Sequence, residues 1–197
     1  MHKEQISIRI ANPSDAQKLL ELYAPYVENT AITFEHIVPT VEEFANKINH
    51  ILTKYPYLVA TENEQIVGYA YAGIFRKQAA YNWAVEVTIY VRQDKKQLGI
   101  GKNLYKTLET ILAAQNVLNL NACIAYLDND DEYLTKDSVH FHEHVGYKLA
   151  GRFRQCGYKF ERWYDIIWME KHIGEHICAP CTVIAFPQIR TQFPSLQ

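Results

Sequence analysis

The chain has 197 residues, of which 48% are hydrophobic and 21% charged, a composition typical of a globular protein with one domain. Its net charge of -2 at pH 7 and pI of about 6.4 argue against a protein that wraps nucleic acid, because neutralising phosphates needs a broad excess of Lys and Arg. With no apolar leader, no apolar run near the roughly 20 residues of a membrane span and only four cysteines, we expect a cytoplasmic protein with reduced thiols.

The N-terminal part of the chain predicts a strand, two helices and a hairpin. Isoleucines alternate with polar residues near the start, as in a strand with one buried face. An N-cap and a proline begin the first helix, which we expect Pro25 to disturb because it removes an interior hydrogen bond. A capping box begins the second helix. The predicted elements are a strand over residues 6–10, helices over 16–27 and 40–52, and strands over 57–61 and 66–74.

The centre of the chain predicts a strand, a glycine-spaced turn and a helix. β-Branched and aromatic residues dominate positions 85–91, where Glu86 is the one carboxylate. From Gly101 onward, apolar residues recur with the period of a helix that has one buried face. The first amides of a helix lack partners, so the turn with Gly99 and Gly101 can bind a phosphate. Two glycines at a helix start are also common in plain turns, and from the residues alone both interpretations stay open.

The C-terminal part predicts a strand over residues 119–126, a short helix over 137–145 and a hairpin of strands 147–154 and 160–169. This order of elements indicates a mixed α/β fold. Beyond residue 172 the periodicity stops and prolines recur. We therefore expect one domain over residues 1–171, followed by a loosely packed extension over 172–197.

The run KQLGIG, from Lys96 to Gly101, resembles the acetyl-coenzyme A pyrophosphate loop of the GNAT N-acetyltransferases, Arg/Gln-x-x-Gly-x-Gly/Ala. Lys96 departs from the usual first residue but keeps a cation there. Segments 80–91 and 138–147 resemble the phosphinothricin acetyltransferase-like branch, and the resemblance extends over about residues 8–171. It implies a mixed, mostly antiparallel sheet flanked by helices, with a V-shaped split between the two central strands.

The resemblance also implies an acetyl-CoA site at the end of the central strand, in the glycine turn and at two later positions. The implied residues are Ile89, Tyr90, Val91, Lys96, Gln97, Leu98, Gly99, Ile100, Gly101, Lys102, Asn129 and Ser138.

Acetyl transfer from a thioester to an amine needs a base for the amine proton and a proton for the departing thiolate. Glu86 fits the first need, because burial in an apolar strand raises the pKa of a carboxylate; an exposed or salt-bridged Glu86 is the structural alternative. The resemblance aligns Glu86 with the branch's catalytic glutamate and His142 with its catalytic histidine. An isolated histidine on a short helix is more often structural. On the resemblance, we assign His142 as general acid or proton relay.

The acceptor residues implied by the resemblance are Phe34, Arg76, Gln78 and Tyr81. Arg76 matches a cation that helps to hold an amino-acid-like substrate, whereas Gln78 stands where an arginine is expected. The identity of the acceptor, and whether it is phosphinothricin, therefore stays open. The acidic loop over residues 127–136 offers a different possibility, a cationic acceptor, although such loops are usually only solvated.

The last motif is the His-Cys cluster of the tail. Its side chains have the types that zinc prefers but lie within one short segment, so we predict no metal site. These residues are His172, His176, Cys178 and Cys181.

We predict a cytoplasmic enzyme that transfers acetyl from acetyl-CoA directly to the primary amine of a small amino-acid-like acceptor, with no covalent enzyme intermediate. The expected partners are this acceptor and, by the resemblance, a second copy of the chain, but neither nucleic acid nor a membrane. Two alternatives remain: an acetyltransferase acting on a protein N-terminus or lysine, and a coenzyme A-binding module without catalysis. An enclosed pocket with cations would favour the small acceptor, and an open acidic groove the protein.

Overall fold

The computed structural model describes residues 6–196 as one mixed sheet with helices on both faces. The strands are β1 Ser7–Ile10, β2 Tyr57–Glu62, β3 Gln65–Ile74, β4 Ala84–Val91, β5 Asn119–Tyr126, β6 Lys148–Lys159 and β7 Arg162–His172. The helices are α1 Ala16–Asn29, α2 Val41–Leu52, α3 Ile100–Ala114, α4 Asp137–His144 and α5 Phe186–Ile189. The strand order is β1-β2-β3-β4-β5-β7-β6.

The centre of the sheet is split. Within the described residues, β4 and β5 are the one parallel pair of neighbours. They pair only from Ala84 opposite Asn119 to Glu86 opposite Asn121. Beyond Glu86 the two strands separate, which leaves a V-shaped opening on that side of β4. The predicted mixed α/β fold with its split is confirmed.

The two faces of the sheet carry different helices. Tyr69 of β3 and Tyr90 of β4 are paired and share one face, where Phe44 of α2 lies 6.2 Å from Tyr69 between ring centroids. Two tyrosines of α1 lie 5.0 Å from Tyr90 by the same measure. Gly68 faces the other way, because side chains alternate along a strand, and a Cβ there would lie 3.3 Å from Leu104 of α3. The helices α1 and α2 therefore cover one face and α3 the other.

Two details differ from the sequence-based expectations. The helix α1 is not interrupted at Pro25 but continues to Asn29. The proline removes one hydrogen bond, but the buried side chains of Tyr23, Tyr26 and Val27 on either side of it hold the helix against the core.

The last hairpin is longer than predicted. Strand β6 continues to Lys159, and the turn is formed by Phe160 and Glu161, both with positive φ. The segment left between the two predicted strands, residues 155–159, instead belongs to β6 and contains a bulge, where Gln155 donates its N–H to the Asp165 carboxylate at 2.7 Å. A bulge places extra residues in a strand without ending it, which a sequence pattern does not distinguish from a turn.

The C-terminal extension is not loosely packed. Phe186 is 1% exposed and Ile189 3% exposed, and both join the main core. The buried amide of Gln115 donates to the main-chain carbonyls of Lys54 and Ile184 at 2.8 and 2.6 Å. The prolines interrupt regular structure in this segment, but apolar side chains between them are still buried in the core.

Candidate active site

Two adjoining cavities open at the split between β4 and β5. The first, of about 310 Å³, contains Glu86 and is called the Glu86 cavity. The second, of about 490 Å³, lies at the start of α3 and is called the Gly99 cavity. The residues that line both are Ile32, Ile89, Tyr90 and Ser138. A molecule that fills the Gly99 cavity can therefore extend toward Glu86.

The Gly99 cavity contains most of the predicted acetyl-CoA residues. They are Ile89, Tyr90, Val91, Lys96, Gln97, Gly99, Ile100, Gly101, Lys102 and Ser138. Leu98 and Asn129 are not among the lining residues, and the Leu98 side chain is 61% exposed. The sequence motif and the cavity thus coincide at ten of the twelve predicted positions.

The two glycines of the turn serve different structural purposes. Gly99 is the N-cap of α3 with φ of 81°, a left-handed conformation, and a Cβ there would meet nothing within 4 Å. A Cβ on Gly101 would lie 3.0 Å from the ring of Phe141, so this glycine allows α3 and α4 to pack closely. The first amides of α3 have no intrahelical partners, as at any helix start, and the residues that carry them, Ile100, Gly101 and Lys102, line the cavity. Such a turn fits a pyrophosphate, with Lys96 and Lys102 beside it.

Glu86 is half-buried on β4, at the point where the pairing with β5 ends. Burial raises the pKa of its carboxyl group, and the nearby cations Arg76 and Lys47 partly oppose that rise. Within residues 6–196, the Glu86 carboxylate has neither a hydrogen bond nor an ion pair. It is therefore not neutralised by a structural partner, and it faces the cavity as a base of raised pKa.

His142 and Tyr105 form a buried pair in the wall of the same cavity. The Nδ1 atom of His142 lies 2.7 Å from the carbonyl oxygen of Ser138, and the Nε2 atom lies 3.0 Å from the Tyr105 hydroxyl. A carbonyl only accepts, so Nδ1 carries the proton and Nε2 accepts from Tyr105. Burial lowers the pKa of His142 to about 4, against the favourable bond to Ser138. At neutral pH the imidazole is therefore uncharged and has no proton to offer the cavity.

Cys123 of β5 also lines the Glu86 cavity. Burial and the Glu86 carboxylate raise the pKa of its thiol to about 11. The side chain is therefore a neutral thiol at pH 7, unlike the thiolate that a cysteine nucleophile needs.

The segment after α1 brings Phe34 to the Glu86 cavity, as predicted. Lys159 is 3% exposed and fixes this segment by donating from Nζ to three main-chain carbonyls. The three carbonyl oxygens, at 2.7, 2.9 and 2.8 Å, belong to Val27, Thr30 and Thr33. Phe34 packs over the backbone of Gly157, where a Cβ would lie 2.2 Å from its ring.

The other predicted acceptor residues do not line the Glu86 cavity. Arg76 lies over the rings of Phe75 and Trp168, while Gln78 and Tyr81 are exposed. Residues that the sequence interpretation missed take part in the wall instead. They are Glu35, Lys47 and Tyr105.

The acidic loop over residues 127–136 is largely paired with cations. Arg152 binds Asp128 at 2.7 Å, and Arg162 binds Asp131 and Glu132 at 3.0 and 2.6 Å. These ion pairs neutralise most of the negative charge of the loop. The structure therefore gives no support to a cationic acceptor bound there.

In the tail, the rings of His172 and His176 lie 4.9 Å apart, whereas Cys178 and Cys181 are exposed free thiols. No group of three or more potential metal ligands occurs in the part of the chain that the structure describes.

The structure has a split sheet, a glycine turn at the start of α3 and a carboxylate on β4 where its pairing with β5 ends. The family model described as "Acetyltransferase (GNAT) domain" matches residues 8–168. The chain belongs to the GNAT acetyltransferase family. GNAT domains use acetyl-CoA as co-substrate, so the protein is an acetyl-CoA-dependent N-acetyltransferase.

Individual relatives confirm the resemblance to the phosphinothricin acetyltransferase-like branch. Phosphinothricin N-acetyltransferase of Streptomyces viridochromogenes is 32% identical over 83% of this chain and 86% of its own. The L-methionine sulfoximine/L-methionine sulfone acetyltransferase of Pseudomonas aeruginosa is 28% identical over 88% of this chain and 98% of its own. Among solved structures, a phosphinothricin acetyltransferase from Sinorhizobium meliloti in complex with acetyl-CoA has a TM-score of 0.82 and 30% identity, covering 92% of this chain and 96% of that one.

Among residues 6–196, none of the GNAT protein's helices combines the length and the apolar character needed to cross a membrane.

Proposed function

We propose that this N-acetyltransferase acetylates the primary amine of a small amino-acid-like molecule bound in the Glu86 cavity. The observation that supports this most strongly is the junction of the two cavities, where a donor in the Gly99 cavity meets an acceptor beside an unpaired carboxylate. The named activities of the relatives from Streptomyces and Pseudomonas support the same class of acceptor.

In the proposed site, the turn around Gly99 holds the pyrophosphate of acetyl-CoA. The amides at the start of α3 supply hydrogen bonds, and Lys96 and Lys102 supply positive charge. The acetyl end lies toward the residues shared by the two cavities. The adjoining wall formed by Ile89 and Tyr90 of β4 directs it toward Glu86.

Glu86 is the proposed general base. An amino group enters at neutral pH mainly as an ammonium and must lose one proton before it can attack the thioester carbonyl. A half-buried carboxylate with a raised pKa accepts that proton directly or through water and releases it to solvent. Attack then gives a tetrahedral species that still carries one excess proton on nitrogen.

His142 and Tyr105 form the proposed relay for that second proton. In the resting site the Tyr105 hydroxyl donates to His142, so its oxygen is oriented to accept. A proton that arrives at this oxygen displaces the hydroxyl proton onto Nε2 of His142. The buried imidazolium, with a pKa of about 4, then returns a proton by the same path to the departing thiolate. The nitrogen loses one proton and the sulfur gains one, so the step balances.

An acetylation screen tests the proposed function. Purified protein is incubated with acetyl-CoA and a panel of amino acids, amino-acid analogues, simple amines and a peptide with a free N-terminus, and free thiol is followed. We expect the amino-acid group to be acetylated with the highest kcat/KM. Preferential acetylation of the peptide, or no turnover with any amine although acetyl-CoA binds, would refute the proposal.

We also propose that the enzyme is a homodimer. The β6–β7 hairpin at one edge of the sheet exposes a group of large apolar side chains, a surface that isolated monomers rarely leave uncovered. They are Leu149 at 64%, Phe153 at 59%, Trp163 at 57% and Tyr158 at 48% exposure. Sedimentation analysis of the natural protein and of a Phe153→Glu/Trp163→Glu variant tests this. A natural protein that sediments as a monomer at micromolar concentration would contradict it.

A cytoplasmic location is proposed as well. All four cysteines are free thiols in the structure, as expected in a reducing compartment. Cell fractionation with the enzyme outside the cytoplasmic fraction would rule this out.

A further inference from the structure

An amino-acid acceptor brings a carboxylate as well as an amine, and a buried carboxylate needs a cation. The cations expected from the sequence do not lie in the Glu86 cavity. The guanidinium of Arg76 lies 4.6 Å above the ring of Phe75 and donates to that residue's own carbonyl oxygen at 2.8 Å. Gln78 is exposed and uncharged. Arg76 acts on Glu86 from outside the cavity, so a cation that lines the cavity is better placed to bind an acceptor carboxylate.

Lys47 of α2 is a cation that does line the Glu86 cavity. As a residue it is exposed, so it lies at the opening, but its Nζ atom lies 5.0 Å from the ring centroid of Tyr71 and 5.9 Å from that of Phe44. The methylene stem is thus directed across the aromatic wall. Among the described residues, no carboxylate lies within 4.0 Å of this ammonium.

The charges around Lys47 keep it protonated. Burial acts to lower the pKa of its ammonium, but the Tyr71 and Tyr23 hydroxyls and the Glu35 carboxylate outweigh that effect and raise it. Lys47 in turn opposes the rise in the pKa of Glu86, so the two groups act on each other across the cavity. Among the described residues, the cavity therefore contains the Lys47 ammonium and the Glu86 carboxylate, which influence each other without forming an ion pair, and Glu35 is a second carboxylate in its wall.

A free α-amino acid carries the matching charges, an ammonium and a carboxylate on adjacent carbons. We infer that Lys47 binds the carboxylate of the acceptor and so directs its amino group to Glu86. This inference rests on the proposed function and narrows it to acceptors with a free carboxylate. The wall also contains aromatic side chains, among them Phe34 and Tyr71, which suit an uncharged acceptor side chain.

The test compares an acceptor with its own neutral form. The probes are L-methionine sulfone and L-methionine sulfone carboxamide, which share the amine and the side chain but differ in charge at the carboxyl position. The variants are Lys47→Met, which keeps the stem, and Lys47→Arg, which keeps the charge. Lys54→Met is the matched control, because its ammonium also lies over a tyrosine ring, 5.3 Å from the centroid of Tyr55, but outside the cavity.

We expect Lys47→Met to raise the KM of the carboxylate acceptor about tenfold or more, since a charge-assisted hydrogen bond is lost. Its kcat/KM for the carboxamide should fall much less, because that probe has no carboxylate to bind, and any effect of the lost Lys47 charge on Glu86 is common to both probes. Lys47→Arg should restore most of the loss, and Lys54→Met should behave as the natural protein.

Equal losses on both probes, or no loss on either, would overturn the role of Lys47 while leaving the proposed function standing. A natural protein that binds acetyl-CoA but acetylates neither probe would overturn the amino-acid acceptor class, and this inference with it.

Discussion

The hydroxyl of Tyr105 lies 3.0 Å from Nε2 of His142, and both side chains are buried in the wall of the Glu86 cavity. This contact changes the interpretation of His142. Its other nitrogen is committed to the Ser138 carbonyl, so the imidazole reaches the reacting atoms only through the tyrosine. The role that the geometry supports is a relay, and the direct general acid is the less favoured of the two roles assigned from the sequence.

Tyr105→Phe removes the hydroxyl that connects His142 to the cavity. We expect kcat to fall about 10²-fold, within the range for proton transfer by a positioned group, while the KM for acetyl-CoA stays within twofold. The variant also leaves a buried nitrogen without a partner, which costs about 1–3 kcal/mol of stability. Steady-state kinetics and urea unfolding measure both. A folded variant with unchanged kcat would assign the pair to structure alone.

The buried neutral His142 should also make stability depend on pH. Its pKa of about 4 in the folded protein lies below the ordinary 6.5, so the unfolded chain binds the proton more readily. This contribution is complete above pH 6.5 and is lost as the pH falls toward 4. The loss is on the order of 3 kcal/mol. Urea unfolding of the natural protein and of His142→Gln at pH 7.5 and 5 tests this, and an identical loss in both would contradict it.

Gly99→Ala should weaken the donor site through the backbone. At φ of 81° an alanine is strained by about 1–2 kcal/mol, and the turn shifts to relieve the strain. We expect the Kd for acetyl-CoA, measured by calorimetry, to rise about tenfold. Gly73→Ala is the control, because it also has open space around its Cβ position but has no positive φ. Equal affinities in all three proteins would remove Gly99 from the donor site.

The C-terminal extension should contribute to the stability of the domain. Phe186→Ala should lower the free energy of unfolding by about 3–5 kcal/mol, because it empties a buried aromatic site. Ile177→Ala, at a side chain that is 54% exposed, should change it by less than 0.5 kcal/mol. If the Phe186 variant is as stable as the natural protein in urea, the extension does not pack on the domain in solution.

The sequence predicted β4 and α3 well. The period of a strand changes to the period of a helix between them, and two glycines mark that boundary. Most residues that line the Gly99 cavity could be named from the sequence because they follow one another along the chain. Two residues in the wall of the Glu86 cavity were missed, because Tyr105 belongs to the apolar stripe of α3 and Lys47 to the polar side of α2. Neither position has a local signal, and only the packing of α2 and α3 on opposite faces of β3 and β4 brings them to one cavity.

Arg76 and Gln78 are the reverse case, because they were assigned to the acceptor site but do not line the Glu86 cavity. The resemblance assigned them to the acceptor, whereas in this chain the segment after β3 places Arg76 over Phe75 and Trp168. Its direction follows from the rings of the adjacent Phe75 and of Trp168, which is distant in sequence. A role for Arg76 in the acceptor site therefore stays a prediction without support from the cavity.

The central claim is that the Glu86 carboxylate, at the end of the β4–β5 pairing, removes the proton from the acceptor amine. The most direct test is kcat/KM for the best acceptor over pH 6–10 in the natural protein and in Glu86→Gln. We predict that acetyl-CoA binding is retained and that turnover near pH 7 falls about 10²–10⁴-fold. The deficit should shrink at high pH, where the amine is already neutral. A loss of less than severalfold that does not vary with pH would contradict the claim and leave Glu86 as a structural residue.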